Sequence, residues 1–288
     1  MRVLSVIVIY ERDLDEVKSW SFLRQELKLA GDASCDGDRR FLLDRVLIYD
    51  NSSIARAQPS EHLPGCIYVH DPSNGGTAAA YDRGLRMARG VGIDWMLLLD
   101  QDTSMPTGFL EAAGAALANS SRQPGALVPW VFHNASVVSP ARVTEAGTIA
   151  PLKYGTPLPI VRGLTAISSG SLFHVPTLAS LMPMPNGLWL DYVDHWIFSQ
   201  LRTRSVLVAV FDASLQHELS VRNIESMNLR RLTSILNGEA YFQGMLGTRA
   251  RLVYPFRLAA RIIRYTRTRP DLAMHMLAWI FNRIRQRV

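Results

Sequence analysis

Two acids separated by a single residue, Asp100 and Asp102, follow an apolar run at 95–99 (WMLLL). Carboxylates this close repel each other unless a cation lies between them. A hard cation such as Mg²⁺ takes one or two carboxylates together with phosphate oxygens. The pair therefore points to a divalent metal holding a diphosphate. A solvated acidic turn is the plainer alternative, and a lone D-x-D does not separate the two. A second apolar run ends in Asp50 and Asn51, which suit hydrogen bonding to a nucleobase or ribose and equally suit an Asx turn. Farther on, GLWLDYVDHW places Asp191 and Asp194 three residues apart among aromatics. One is a candidate general base and the aromatics suit a sugar face, although Asp191 is also a natural helix cap. His217, in QHELS, offers an imidazole to a metal, though single histidines are more often structural.

Two small-residue stretches complete the inventory. In DPSNGGTAAAYDRGL, Asn74, Gly75 and Gly76 lead into a helix of small residues. Glycines let backbone approach a ligand closely, and a helix N-terminus favours anions, but a plain loop and cap reads the same way. In ISSGSLF, Ser169 and Gly170 suit either a donor or acceptor pocket or a tight packing turn.

These residues need elements to hold them. Apolar runs of four to seven residues recur at 5–10, 45–50, 66–70, 95–100, 126–131 and 205–211. Such runs read as strands buried on both faces of a parallel sheet. Helical spacing lies between them: Leu14, Val17, Leu23 and Leu27 fall roughly on one face, and Tyr81, Leu85 and Ala88 on another. Pro106 suits the first turn of a further helix. The alternation predicts an α/β fold, a mostly parallel central sheet flanked by helices. Ligands of such sheets bind at the carboxyl ends of strands, which is where Asp50 and Asp100 should lie together.

Composition narrows the function. The chain has 288 residues and a net charge of +6, almost all of it arginine, since lysine occurs only at 18, 28 and 153. Arginine suits phosphates and anionic headgroups. Neither zinc-finger spacing nor an RNP-type aromatic motif is present, which argues against nucleic acid. The cysteines, Cys35 and Cys66, form no CxxC pair, and a reducing cytoplasmic setting fits them. The first residues, MRVLSVIVIYERD, read as a strand rather than a signal sequence, and no apolar run is long enough to span a membrane.

In this order, VIVIYER, IYDNSS, NGGTAAAYDRG, LLLDQDT, ISSGSLF, LDYVDHW and QHELS resemble glycosyltransferase family 2, inverting enzymes with a GT-A fold. The likeness runs from about Val3 to Ser220 and is nearest the bacterial rhamnosyltransferase-like branch that builds surface polysaccharide (O-antigen or capsule). The resemblance implies that Tyr10, Glu11 and Asp50 contact the nucleotide and that Asn74 and Gly75 belong to the donor pocket. It implies a ribose or metal contact at Asp100, the direct Mg²⁺ or Mn²⁺ ligand at Asp102 and a further ligand at His217. Asp194 takes the place of the base, with Ser169, Gly170, Asp191 and Trp196 around a donor or acceptor pocket. The implied partners are a dTDP- or UDP-sugar and a saccharide or polyprenyl-linked acceptor. Two departures bear on substrate: Trp196 stands where many relatives carry an acid, and Asp82 where they often carry Asn.

The pattern changes near Asn223, so residues 1–223 read as a catalytic domain and 224–288 as a helical extension. From Arg251 to Val288 there are nine arginines and one acid, Asp271, interleaved with Trp279, Phe281 and aliphatics. A basic, aromatic, amphipathic helix suits an anionic membrane surface, here the cytoplasmic face; core packing or an oligomer seam is the alternative. Two rival functions share the pattern. A sugar-nucleotide pyrophosphorylase calls for a Gly-rich basic loop after the first strand, where this chain has YERDLDE. A noncatalytic membrane-bound scaffold does not call for Asp102, Asp194 and His217 together.

Overall fold

The computed structural model describes residues 1–31, 40–56, 63–156, 163–218, 224–225 and 227–285. Cys35, the domain boundary at Asn223, the end of the QHELS motif and Arg287 lie outside the described residues.

The first half alternates strands and helices: β1 (Arg2–Ile9), α1 (Trp20–Gly31), β2 (Leu42–Asp50), β3 (Cys66–His70), α2 (Gly76–Gly90), β4 (Trp95–Asp100), β5 (Thr103–Ser104), α3 (Phe109–Ala118) and β6 (Ala126–His133). Short strands follow: β7 (Ser136–Ser139), β8 (Ala141–Val143), β9 (Ile149–Pro151), β10 (Leu164–Thr165) and β11 (Leu172–His174). Then come α4 (Val175–Ala179), α5 (Val193–Thr203), β12 (Val208–His217), and the helices α6 (Leu229–Met245), α7 (Thr248–Thr268) and α8 (Pro270–Arg285).

The central sheet runs β3-β2-β1-β4-β11-β6-β12-β5, with β7 beside β6, while β10-β8-β9 form a small second sheet. Along β3-β2-β1-β4 every pairing is parallel; β11 is antiparallel to both β4 and β6, and β12 runs parallel to β6. The mostly parallel sheet expected from the apolar runs is therefore observed. Side chains alternate across it as the strand period demands. Val3, Ile7 and Ile9 of β1 pack with Trp20 and Leu23 of α1 and Phe109 of α3, whereas Leu4, Val6 and Val8 pack with Tyr81 and Leu85 of α2 and Phe198 of α5. Burial on both faces explains why the strand runs are continuously apolar. Cys66, at the start of β3, is a free thiol pushed up to about 11 by burial and is correspondingly unreactive.

The C-terminal helices build a third core from Leu232, Leu236, Leu258, Tyr265, Leu272 and Met276. Three of its arginines belong inside this arrangement rather than to a lipid-facing set. Arg257 and Arg261 both donate to the buried Glu239, and Arg269 donates to Asp271 and to the carbonyls of Ile224 and Met227. Helical periodicity alone does not tell such arginines from solvated ones, because the partner acid lies on another helix.

Candidate active site

The parallel register brings the expected strand ends together. Val8 pairs with Asp100 and Ile9 with Asp50, so the two acids flank the end of β1 on one sheet edge. Beyond Asp100 the chain does not leave the sheet. It turns through Gln101 and Asp102 and crosses the ends of the intervening strands to reach β12. There Thr103 pairs with His217 and Ser104 with Gln216. This pairing sets the imidazole beside the two acids: Asp100, Asp102 and His217 each offer a ligand atom, all within 4.8 Å of one another.

Hydrogen bonds fix the crossing stretch from below. Ser169 is fully buried; its Oγ accepts from the Asp100 amide at 3.0 Å and lies 2.6 Å from Thr103 Oγ1. Thr103 Oγ1 in turn meets His217 Nδ1 at 2.8 Å. Gln101 secures the other side, its Oε1 accepting from the Tyr10 amide and its carbonyl from the Lys18 amide. Thr103 and Gln101 were not singled out from sequence, although both lie inside LLLDQDT; only the crossing gives them work.

The electrostatics suit a cation. Asp102 Oδ1 is buried, 3.2 Å from His217 Nδ1, and makes no hydrogen bond. The Asp102 carboxyl is raised by burial against the pull of His217. Asp100 is pushed up to about 6, first by burial and then by Asp102 and Asp194, with His217 and Arg231 opposing. An orphaned buried carboxylate oxygen in an Asp–Asp–His set is the chemistry a divalent cation satisfies, so the residues fit Mg²⁺ or Mn²⁺.

Asp194 lies in the first turn of α5 with its Oδ1 accepting from the His195 amide, and its charge acts on Asp100 and on the buried Tyr81 phenol. Asp191 has a different part. It does not cap α5, whose N-cap is Tyr192 in a left-handed conformation. Instead its carboxylate, nearly buried, pairs with Arg231 of α6 at 3.0 Å. The capping alternative is thus corrected, and of the two acids only Asp194 is without an arginine partner among the described residues. Arg231 itself is a residue that sequence reading missed. Its amide donates to Asn228 at the α6 N-cap, and its charge reaches Asp100. The edge that carries Asp100 is therefore walled partly by the C-terminal helices. Gly238 of α6 admits the backbone of Asp191, and Phe242 stacks on Tyr192 and His195.

Other expected residues are placed differently. Asp50 is fully buried, and both oxygens are used within the fold: Ser52 and Arg56 amides and the Tyr68 hydroxyl donate to it. Burial acts upward on Asp50, but these hydrogen bonds outweigh it and hold the carboxyl below its ordinary value. Its side chain orders the loop after β2 rather than facing a ligand. Glu11 is similarly committed, accepting from Ser53 and Arg56. Tyr10, by contrast, is half exposed at the rim. The glycines before α2 admit protein, not open space: a Cβ on Gly76 would sit 2.3 Å from the Trp189 carbonyl, and one on Gly75 would meet Asp71 and Ala79. The Gly75 amide donates to Asp71, and the Trp189 indole donates to the Asn74 carbonyl at 2.6 Å. Gly170 and Trp196 are buried and pack within the core. Gly170, at positive φ, lies against Leu215 of β12, and Trp196 belongs to the core beneath α5.

Fold and sheet order are those of the GT-A type, a central sheet flanked by helices. Residues 21–147 match the profile of the family described as Glycosyl transferase family 2, a stretch that includes Asp50, Asn74, Asp100 and Asp102 and stops short of Asp194 and His217. No curated protein matches the chain. Among solved structures, GalNAc-T7 with UDP, GalNAc and Mn²⁺ is similar with a TM-score of 0.54 at 11% identity, over 86% of this chain and 48% of that one. S. aureus TarS is similar with a TM-score of 0.45 at 13% identity, over 84% and 42%. A shorter TarS, residues 1–349 in complex with UDP, gives 0.47 at 14%, over 86% and 70%. The chain spans less than half the length of GalNAc-T7 and of the longer TarS.

Proposed function

We propose that the chain is a metal-dependent inverting glycosyltransferase using a nucleotide-diphosphate sugar. The observation that carries this reading is the convergence of Asp100, Asp102 and His217 from the ends of β4 and β12, with Asp194 near enough for its charge to act on Asp100. Asp100, Asp102 and His217 would hold Mg²⁺ or Mn²⁺. Bound there, the cation offsets charge on a departing diphosphate. Asp194 accepts the proton of an acceptor hydroxyl, whose oxygen forms the new bond to the anomeric carbon as the bond to the diphosphate breaks on the opposite face. Arg231 holds Asp191, while Asp194 meets only the neighbouring His195 among the described residues. Tyr10, exposed beside Gln101, supplies a ring for the nucleobase; Glu11, Asp50, Asn74 and Gly75 act on the donor by shaping the loops around it.

The finer reading follows the sequence resemblance: rhamnose or a similar sugar, from a dTDP- or UDP-donor, passed to a saccharide or polyprenyl-linked acceptor in bacterial surface polysaccharide synthesis, at the inner face of the membrane. Residues 1–223 form the catalytic unit, and 224–288 a helical extension whose α6 completes the site. Calorimetry with UDP, dTDP and GDP, with and without Mn²⁺, tests the core of this. One nucleoside diphosphate should bind only with the cation. Cation-independent binding of all three, or of none, counts against it. Hydrolysis of a panel of UDP-, dTDP- and GDP-sugars then identifies the donor.

A further inference from the structure

The outer faces of α7 and α8 are apolar and exposed. On α7, Leu252, Phe256 and Ile263 are 66%, 76% and 62% exposed; on α8, so are Met274, Leu277, Phe281 and Ile284. Their spacing places each set in one stripe along its helix. These are not core residues turned the wrong way, because each helix already has an inward face: Leu258 and Tyr265 on α7, Leu272, Ala273 and Met276 on α8. An exposed apolar stripe on a helix with a complete core face marks an interaction surface.

Charge selects the occupant. Arg251, Arg264, Arg267 and Arg285 are exposed on these two helices, and the Arg285 guanidinium lies 5.0 Å over the Phe281 ring. The one acid of α7 and α8, Asp271, is already paired with Arg269. A second copy of this chain docked on the stripes would bring arginine against arginine. An anionic surface would be complementary. Among the described residues, no helix is long and apolar enough to cross a membrane. We propose that α7 and α8 lie on an anionic lipid bilayer, with Phe256, Phe281 and the neighbouring aliphatics in the headgroup–acyl boundary and Arg264, Arg267 and Arg285 at lipid phosphates. The site edge then sits on the same polypeptide as the docking face, through α6.

Flotation of the full chain with vesicles tests this without any donor, so the outcome is independent of the transfer chemistry. The parent should bind phosphatidylcholine vesicles containing phosphatidylglycerol, bind pure phosphatidylcholine far less, and weaken without vanishing in high salt. Phe256→Gln with Phe281→Gln should lower binding at least roughly tenfold at either salt concentration. Arg264→Gln with Arg267→Gln should lower it roughly tenfold at low salt only. Circular dichroism and Mn²⁺-dependent nucleotide binding should match the parent in both variants, since none of the four side chains touches the site. Equal binding to neutral and anionic vesicles overturns the proposal, as does unchanged binding by the phenylalanine variant. A parent dimer that the phenylalanine variant converts to monomer, with no vesicle binding, overturns it in favour of a copy–copy interface.

Discussion

Asp50 and Asp100 end neighbouring strands on either side of β1, one register position apart, yet they meet opposite surroundings. Asp50 is wholly buried and receives two backbone amides and a phenol, so its charge is satisfied and its carboxyl is held down. Asp100 is half-buried near Asp102 and within the field of Asp194, and is pushed up to about 6. Asp102, next to it, keeps a buried oxygen with no hydrogen bond. An acid whose hydrogen bonds are complete is part of the scaffold. Acids that the fold leaves under-partnered mark where an external cation belongs, because burying unpaired charge is costly and persists only where something else compensates it.

The largest effect should come from breaking the under-partnered end. Asp102→Asn is expected to reduce transfer and Mn²⁺-dependent nucleotide binding to background, while the cation-free protein melts no lower than the parent, since a strained charge has been removed. A clear drop in cation-free melting temperature would make Asp102 structural instead. Asp194→Asn is next, with turnover falling roughly 10²-fold and donor affinity kept; Asp191→Asn should cost less turnover and more stability, because Arg231 loses its partner. If the kinetic order is reversed, the base is Asp191.

At the satisfied end the sign should switch. Asp50→Ala removes three hydrogen bonds, of which the Ser52 amide loses its carboxylate acceptor while the Arg56 amide and Tyr68 hydroxyl keep each other, and is expected to cost about 2 kcal/mol of unfolding free energy. Cation-dependent nucleotide binding should survive wherever the variant is folded.

The smallest effect is a pH dependence, and it sharpens the contrast. Asp100 retains its proton in the folded state up to about 6, above the ordinary aspartate range near 4. Between those values the native state binds more protons than the unfolded one, so this group makes stability fall as pH rises through the window. Asp50, held low, does the reverse: its contribution is present above the ordinary range and is lost as pH falls through its depressed value. In chelator, melting temperature should decline from about pH 4 to 6 relative to the Asp100→Asn variant. Mn²⁺ should remove that decline by favouring the ionised pair. An identical profile for parent and variant would mean the acids are not strained.

Much of this was legible in local pattern. Continuous apolar runs announced a doubly covered sheet, and strand-end acids announced its functional edge. D-Q-D announced two acids close together at one strand end. The glycines of NGGT and ISSGS were legible only as close-approach positions. What approaches them, Trp189 and Leu215, comes from segments distant in sequence. Likewise Asp50 and Asp100 look alike as letters at strand ends, and the groups that distinguish them, the donors Arg56 and Tyr68 against the charges of Asp194 and Arg231, lie outside those strands.

What the sequence by itself determined is the period and the punctuation: which residues alternate into a two-sided sheet, where strands stop, and which acids stand at the stops. Those are local properties, set by side-chain direction along a strand and by the chemistry of adjacent groups. Only the tertiary structure decided that Thr103 pairs with His217, 114 positions away, and that the α6 arginine Arg231 pairs with Asp191 rather than with Asp194. Pairings of that separation depend on sheet order and helix docking, which depend on how whole faces bury against one another, and no short window of residues contains that information.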